Sequence, residues 1–273
     1  MANQLERAQR FRTLHQRPGI FVMPNPWDAG SAKLFASLGF EAMATTSQGL
    51  ANVLGRVDGA LAISRDELIA NCRVIAEAAD LPINADLENG YADDPRQAAE
   101  IITLAAEAGM VGGSIEDSSG DPTRPIYDFT LAVERVAAAV EAARALPFPF
   151  TFTARSENLL HGSMDLDDTI KRLNAFAAAG ADVLYAPGLR DIDTIRMVAA
   201  AVSRPLNVVM SAGDPNLTVA QLEAAGVKRI SVGGALSRLG FAAVRDAALA
   251  MRAGSFKWVA ETMPSKDLKA IFR

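Results

Sequence analysis

Short, nearly continuous apolar runs alternate along this chain with longer stretches whose apolar residues recur every three to four positions. The short runs predict strands at 20–24, 42–46, 82–87, 112–116, 150–155, 182–186, 206–210 and 229–233. The longer stretches predict helices at about 29–38, 64–79, 94–108, 128–145, 166–179, 191–202, 217–225 and 235–252. Several helices carry start signals, such as Ser64 with Glu67, Asp94 before Pro95, and Thr218 ahead of Gln221. Gly39, Gly109, Gly180 and Gly226 suit left-handed C-caps. Strands that are apolar on both faces belong in a parallel sheet covered on both sides.

Eight such units in 273 residues predict an α/β fold of the (β/α)8 TIM barrel type. A doubly wound open sheet would want a glycine-rich turn after the first strand. Here Ile20-Phe21-Val22 is followed by Met-Pro-Asn-Pro-Trp-Asp. No linker, repeat or charge block divides the chain, so residues 1–273 read as one barrel domain. Two pieces lie outside the eight units. Residues 1–19 hold an amphipathic helix (roughly 3–16) expected to cap the barrel bottom. The tail, 254–273, carries Phe256, Trp258, Val259, Met263, Leu268, Ile271 and Phe272. That much apolar surface needs cover, and packing on a neighbouring subunit is the expectation.

Composition narrows the function. A net charge of −5 disfavours a nucleic-acid or anionic-membrane surface. One cysteine excludes an intramolecular disulfide and leaves no cysteine-based zinc site. Without an apolar signal core or a membrane-length apolar run, the expected location is the cytoplasm. Cys72 falls on the helical stripe Leu68, Cys72, Ile75, Ala76, Ala79 and reads as core.

In a barrel of this kind chemistry sits at the C-terminal strand ends. The polar residues there are Asn25, Asp28, Thr45, Thr46, Ser47, Gln48, Asp86, Glu88, Glu116, Asp117, Arg155, Glu157, Tyr185 and Ser211, with Gly233-Gly234. Asp28, Asp117 and Glu157 read first as helix caps or solvated loop residues. Asp86 and Glu88, two apart at a strand end, should share a face, with Glu116 one strand over. Three converging acids repel one another unless a cation neutralises them. Oxygen ligands with no neighbouring cysteine or histidine predict Mg2+, or Mn2+, rather than Zn2+. Arg155 suits an anionic substrate gripped through a carboxylate, or an ion pair with Glu157 or Glu116. His15 reads as a surface residue and His161 as a loop residue above the mouth. The six lysines (33, 171, 228, 257, 266 and 269) all lie away from the mouth, which excludes a Schiff-base aldolase. Ser211-Ala212-Gly213 and Gly233-Gly234 also allow a weaker reading, a phosphate grip after strands 7 and 8.

These residues resemble the isocitrate lyase/phosphoenolpyruvate mutase superfamily. The resemblance runs from Pro24-Asn25-Pro26-Trp27-Asp28 to Val232-Gly233-Gly234-Ala235-Leu236. It is most specific in Ala85-Asp86-Leu87-Glu88-Asn89-Gly90-Tyr91, Gly113-Ser114-Ile115-Glu116-Asp117 and Ala154-Arg155-Ser156-Glu157. It implies a (β/α)8 barrel, Mg2+, a 2-oxo acid or its enolate, and a final helix swapped between the subunits of a homodimer or homotetramer. It also implies that Asp86 holds the metal most directly, with Glu88, Glu116 and Asp58 acting mainly through waters. Thr46, Ser47 and Gln48, with Gly49 or Leu50 within the alignment's reach, would take the substrate carboxylate. Arg155 would contact the substrate oxygens.

The chain departs from that pattern after strand 4. The lyases carry a Lys-Lys/Arg-Cys-Gly-His stretch there, and the mutases a lysine and an asparagine. This chain reads Asp117-Ser118-Ser119-Gly120-Asp121-Pro122-Thr123-Arg124-Pro125-Ile126-Tyr127-Asp128, in which only Arg124 and Tyr127 could close over a substrate. The reading is a Mg2+-dependent carbon–carbon lyase or decarboxylase on a small 2-oxo or dicarboxylic acid, with Arg155, Glu116 and Asp58 as catalytic candidates. The alternatives are phosphorus–carbon chemistry on a phosphonate and a weakly active 2-oxo-acid-binding barrel.

Overall fold

The computed structural model describes residues 3–59, 61–211 and 213–273. Eight strands alternate with the helices: β1 Phe21–Met23, β2 Met43–Ala44, β3 Ile83–Asp86, β4 Gly112–Glu116, β5 Thr151–Arg155, β6 Val183–Tyr185, β7 Leu206–Val209 and β8 Arg229–Ser231. The helices are α1 Gln4–Gln16, α2 Ala29–Ser37, α3 Ser47–Leu54, α4 Arg65–Ala78, α5 Pro95–Glu107 and α6 Phe129–Ala145, then α7 Leu166–Ala178, α8 Ile192–Ala201, α9 Val219–Ala224, α10 Ala235–Arg252 and α11 Ser265–Phe272. All the strand pairings are parallel, in the order β1-β8-β7-β6-β5-β4-β3-β2. This is the predicted (β/α)8 barrel. No helix among the described residues is long and apolar enough to cross a membrane.

The seam between β1 and β2 is closed by single bonds. Ala44 N–H donates to Pro24 O at 3.1 Å. Asn25 Nδ2 donates to Thr45 O at 2.9 Å, while Asn25 Oδ1 accepts from Val232 and Gly233 N–H at 2.9 and 3.0 Å. One buried side chain thus ties β1 to β2 and to the turn after β8. Of the two, the Gly233 amide belongs to the phosphate grip read from the sequence, and Asn25 already engages it. Ala212, the centre of its other half, lies outside the described residues.

The barrel bottom is capped by α1, as predicted. Asn3 and Glu6 form a capping box at its start, and Ala8, Phe11 and Leu14 are buried. His15 is a correction to its expected surface role. Its ring packs edge-on against Phe11 and Phe21, at 4.7 and 5.0 Å between centroids. Nδ1 meets Phe11 O at 2.8 Å and Nε2 meets Arg229 Nη1 at 3.3 Å. Because the arginine can only donate, Nε2 accepts and Nδ1 carries the proton.

The helix α3 was not predicted. It is short and has glycine in its first turn, which lowers helix propensity. Tertiary packing requires that glycine: a Cβ on Gly49 would sit 2.6 Å from Thr46 Cγ2 and 2.9 Å from Trp27 Cβ. The tail forms a 3-10 turn at Lys257–Glu261 and then α11. This last helix lies against α2 of the same chain, with Lys33 Nζ donating to Phe272 O at 3.0 Å. Leu239, Phe241, Val244, Phe256 and Val259 remain exposed along α10 and the tail.

Burial, followed by the nearby Arg229, pushes His15 down to about 3 from its ordinary 6.5. The folded chain keeps the ring neutral, while the unfolded chain protonates it near 6.5. Stability carried by neutral His15 is therefore complete above about pH 6.5 and is lost as the pH falls from there toward 3. Between pH 7 and 5 the loss should approach about 2 kcal/mol. Urea unfolding of wild type and His15→Gln at pH 7, 6 and 5 checks this. The variant should lose less stability over that range, and equal slopes would contradict the assignment.

Candidate active site

The mouth of the barrel is organised around Arg155, the last residue of β5. Its Nη1 donates to Asp86 Oδ1 at 2.9 Å. Nε and Nη2 both donate to Glu157 Oε1, at 2.9 and 2.7 Å. Nη2 also lies 3.2 Å from Glu116 Oε2, and the guanidinium stands over the Tyr185 ring, 4.9 Å from its centroid. Burial opposes the charge, but Glu157, Glu116 and Asp86 outweigh it and hold Arg155 well above its ordinary value. A planar fork is the side chain that can serve three carboxylates at once.

Asp86 ends β3. Its N–H donates to Thr45 Oγ1 at 2.9 Å, and its Oδ2 accepts from Ser47 N–H at 3.1 Å. Thr46 caps α3, with its Oγ1 accepting from Gly49 N–H at 3.2 Å. The Ser47 and Gly49 amides are thus committed within the protein, and the Gln48 amide remains in the first turn of α3 among the expected carboxylate-binding positions. Gln48's own side chain packs on Gly234, where a Cβ would come within 2.2 Å of Gln48 Oε1.

Glu88 reaches the site differently from expectation. It lies beyond the end of β3 with φ +52°, in the left-handed region. The strand pleat does not align it with Asp86; a turn does, anchored by Leu87 N–H to Ser114 O and Glu116 N–H to Glu88 O, both at 3.0 Å. A non-glycine residue held there costs about 1–2 kcal/mol. Asp58 lies on the loop between α3 and α4. Glu88, Glu116, Asp58 and Arg155 line a cavity of about 540 Å3 with His161, whose Nε2 is 3.3 Å from Ser118 Oγ. A smaller cavity of about 200 Å3 continues into the barrel past Asp86, Arg155 and Tyr185.

Two acids read as caps or solvated residues turn out to be buried parts of this machinery. Glu157 is 4% exposed and grips Arg155. Asp117 is 3% exposed, accepts from Glu157 N–H at 2.7 Å and from Arg172 Nη1 at 3.1 Å, and is pushed up to about 6 mainly by burial. Asp28 is the cap expected of it, accepting from Ser31 N–H at 2.7 Å. Arg172 was missed because its signal, an arginine on a helix, is common; only the fold brings it under Asp117. Tyr127 does not close over the mouth. It is buried, with its hydroxyl donating to Asp93 at 2.6 Å and Arg135 over its ring. Arg124 is exposed beside Asp121.

The cluster carries more negative charge than one arginine offsets. Burial, then Asp86 and Asp58, push Glu88 up to about 8. Burial also raises Glu116, against the pull of Arg155, and raises Asp58. Carboxyl groups that hold one another back from ionising suit a hard divalent cation such as Mg2+, whose charge favours their ionised form. Among the described residues, however, no three acids, histidines or cysteines are gathered closely enough to hold an ion by themselves. Arg155 bridges Asp86 and Glu116, so the expected trio does not form a ready-made direct cage.

A barrel mouth with this acid cluster and arginine defines a class, and comparison with known proteins agrees. The family profile described as Phosphoenolpyruvate phosphomutase matches residues 11–252. The chain therefore belongs to the isocitrate lyase/phosphoenolpyruvate mutase superfamily. An oxaloacetate decarboxylase of Ectopseudomonas mendocina is 30% identical over 79% of this chain and 74% of its own length. A crystal structure described as a lyase/mutase of Burkholderia cenocepacia J2315 is 54% identical with TM-score 0.96, covering 98% of this chain and 96% of that one. The structure of oxaloacetate acetylhydrolase with its product oxalate is 25% identical with TM-score 0.88, covering 99% and 95%.

Replacing Glu157 by glutamine should separate positioning from stability. The cluster gathers more carboxyl groups than Arg155 offsets, so Glu157→Gln should leave the thermal midpoint unchanged or raised. Loss of the grip on Arg155 should lower catalytic efficiency on the order of 10–100-fold. Paired thermal melts and kinetics check this, and a fall in midpoint with unchanged activity would contradict it.

Proposed function

We propose that this chain is a Mg2+-dependent carbon–carbon lyase acting on a small 2-oxo acid or dicarboxylic acid through an enolate. Decarboxylation of an oxaloacetate-like acid stands ahead of retro-aldol cleavage. The observation that carries the reading is the Arg155 fork bonded to Asp86 inside an over-charged acid cluster, above a small cavity.

Asp86 would hold the ion directly, with Glu88, Glu116 and Asp58 acting through water. Bound there, Mg2+ would supply Lewis-acid polarisation of a 2-oxo carboxylate. The chain's own groups do the rest. The first turn of α3, at Thr46 to Gln48, offers an N-terminal helix end for a carboxylate. Arg155 orients the substrate oxygens, and Glu157 keeps that guanidinium in place. The Tyr185 ring, Leu160 and Pro187 wall the cavity.

Proton delivery decides between the two cleavages. The loop after β4 supplies no cysteine, lysine or histidine. A retro-aldol step needs both a base and an acid, whereas an enolate left by decarboxylation needs one proton, which water can bring. His161 lines the upper cavity, with its Nε2 3.3 Å from Ser118 Oγ. The resemblance to an oxaloacetate decarboxylase supports the same order. The exposed apolar faces of α10 and the tail support assembly as a homodimer or homotetramer.

Turnover with Mg2+ against oxaloacetate, methylisocitrate and phosphonopyruvate tests the reading. Oxaloacetate should be consumed fastest, EDTA should abolish the activity and Mg2+ restore it, and Asp86→Ala should lower it by about 10³-fold or more. Full activity in EDTA would remove the proposal, and turnover of phosphonopyruvate alone would replace it with phosphorus–carbon chemistry.

A further inference from the structure

Below the mouth lies a second arginine that the proposed reaction does not use. Arg229, in β8, is 2% exposed. Its Nε donates to Asn207 Oδ1 at 2.8 Å, its Nη2 to Thr153 Oγ1 at 3.1 Å and its Nη1 to His15 Nε2 at 3.3 Å. All three partners are neutral. They engage three of the five N–H donors of a guanidinium. Among the described residues no carboxylate forms an ion pair with it. Burial pushes Arg229 down to about 9, so it stays protonated at neutral pH. A buried charge without a counter-charge is costly, and an anion brought to it relieves that cost.

The sheet register places this arginine relative to the site. Glu116, Arg155, Tyr185, Asn207 and Arg229 are successive Cα partners from β4 to β8. Because barrel strands tilt against the axis, such a row winds down the inner wall. Its upper part is Arg155 at the mouth. Its lower end is Arg229, touching His15 of the floor helix. One cavity of about 200 Å3 is lined by Asp86, Arg155, Tyr185, Asn207 and Arg229. The two arginines differ in one respect: Arg155 meets three carboxylates, and Arg229 meets none.

We propose that Arg229 is the receptor for a second carboxylate of the substrate. The cavity then takes a small dicarboxylate whose 2-oxo end lies by Asp86 and Arg155 and whose distal carboxylate reaches down to Arg229 beside Asn207. The placement of the 2-oxo end rests on the proposed function; the anion subsite does not.

Binding measured at fixed Mg2+ tests the subsite with two probes. Oxalate carries the head group alone, and 3,3-difluorooxaloacetate keeps a distal carboxylate. Arg229→Met should weaken difluorooxaloacetate about 30-fold or more while oxalate changes less than about 3-fold, with Arg229→Lys between. Equal loss of both probes, or loss of neither, would overturn the proposal. Should Arg229→Met fail to fold, wild type and Arg229→Lys carry the test. Wild type should bind difluorooxaloacetate about 30-fold tighter than pyruvate, which lacks the distal group, and Arg229→Lys should narrow that ratio; equal affinities in wild type overturn the subsite. Thermal melts in EDTA read the subsite apart from metal and reaction. A midpoint raised by succinate and not by chloride in wild type, with a smaller rise in Arg229→Lys, supports it even if no 2-oxo acid is turned over. An equal rise with chloride would contradict a carboxylate receptor.

Discussion

The site depends on one guanidinium being held in a fixed plane by three carboxylates. Arg155 bonds Asp86 on β3, Glu116 on β4 and Glu157 just past its own strand. Removing one partner from a buried ion pair typically costs 3–5 kcal/mol because the other charge is stranded. Here the balance differs, since the acids outnumber the arginine and repel one another. The fork therefore does two things at once. It draws strand ends together at the mouth, and it leaves carboxyl groups that one arginine does not hold ionised.

The rest of the barrel keeps that plane in register. Asp117 receives Arg172 from α7 on one oxygen and the Glu157 amide on the other, which fixes the acid that grips Arg155. Asn25 closes the seam beside the mouth, so that β2 and the start of α3 stand next to Asp86. Gly49 lets α3 approach Thr46 and Trp27 more closely than any side chain would permit. The strained turn at Glu88 fits the same pattern, a local cost accepted to bring a carboxylate over the cavity. At the other end, α1 sends His15 under Arg229, so the floor is made by a neutral imidazole meeting a buried cation.

Much of this was legible in the sequence because the barrel is built from repeated local rules. Apolar runs of strand length, capped helices between them and acids at the run ends were enough to place Asp86, Glu116 and Arg155 at one mouth. The signal failed where tertiary contacts override local ones. The α3 segment Ser47-Gln48-Gly49 looks like a loop until Trp27 and Thr46 are packed around it. Glu88 sits two residues after Asp86, as a strand pairing would require, yet a left-handed turn carries it in. Glu157, Asp117 and His15 each looked like surface residues, because burial of a charged or titratable group is decided by partners far away in sequence. Arg229 lies at the N-terminal end of its strand, and only the winding of the register brings it under the site.

The central claim is that Asp86 and Arg155 form the head-group site of a metal-dependent enzyme for 2-oxo acids. Calorimetric titration of oxalate into the protein, with Mg2+ and then with EDTA, measures that claim without relying on any assumed substrate. The account predicts tight binding that needs Mg2+ and disappears in Asp86→Asn. Oxalate binding of equal strength in EDTA, or binding untouched by Asp86→Asn, would contradict it.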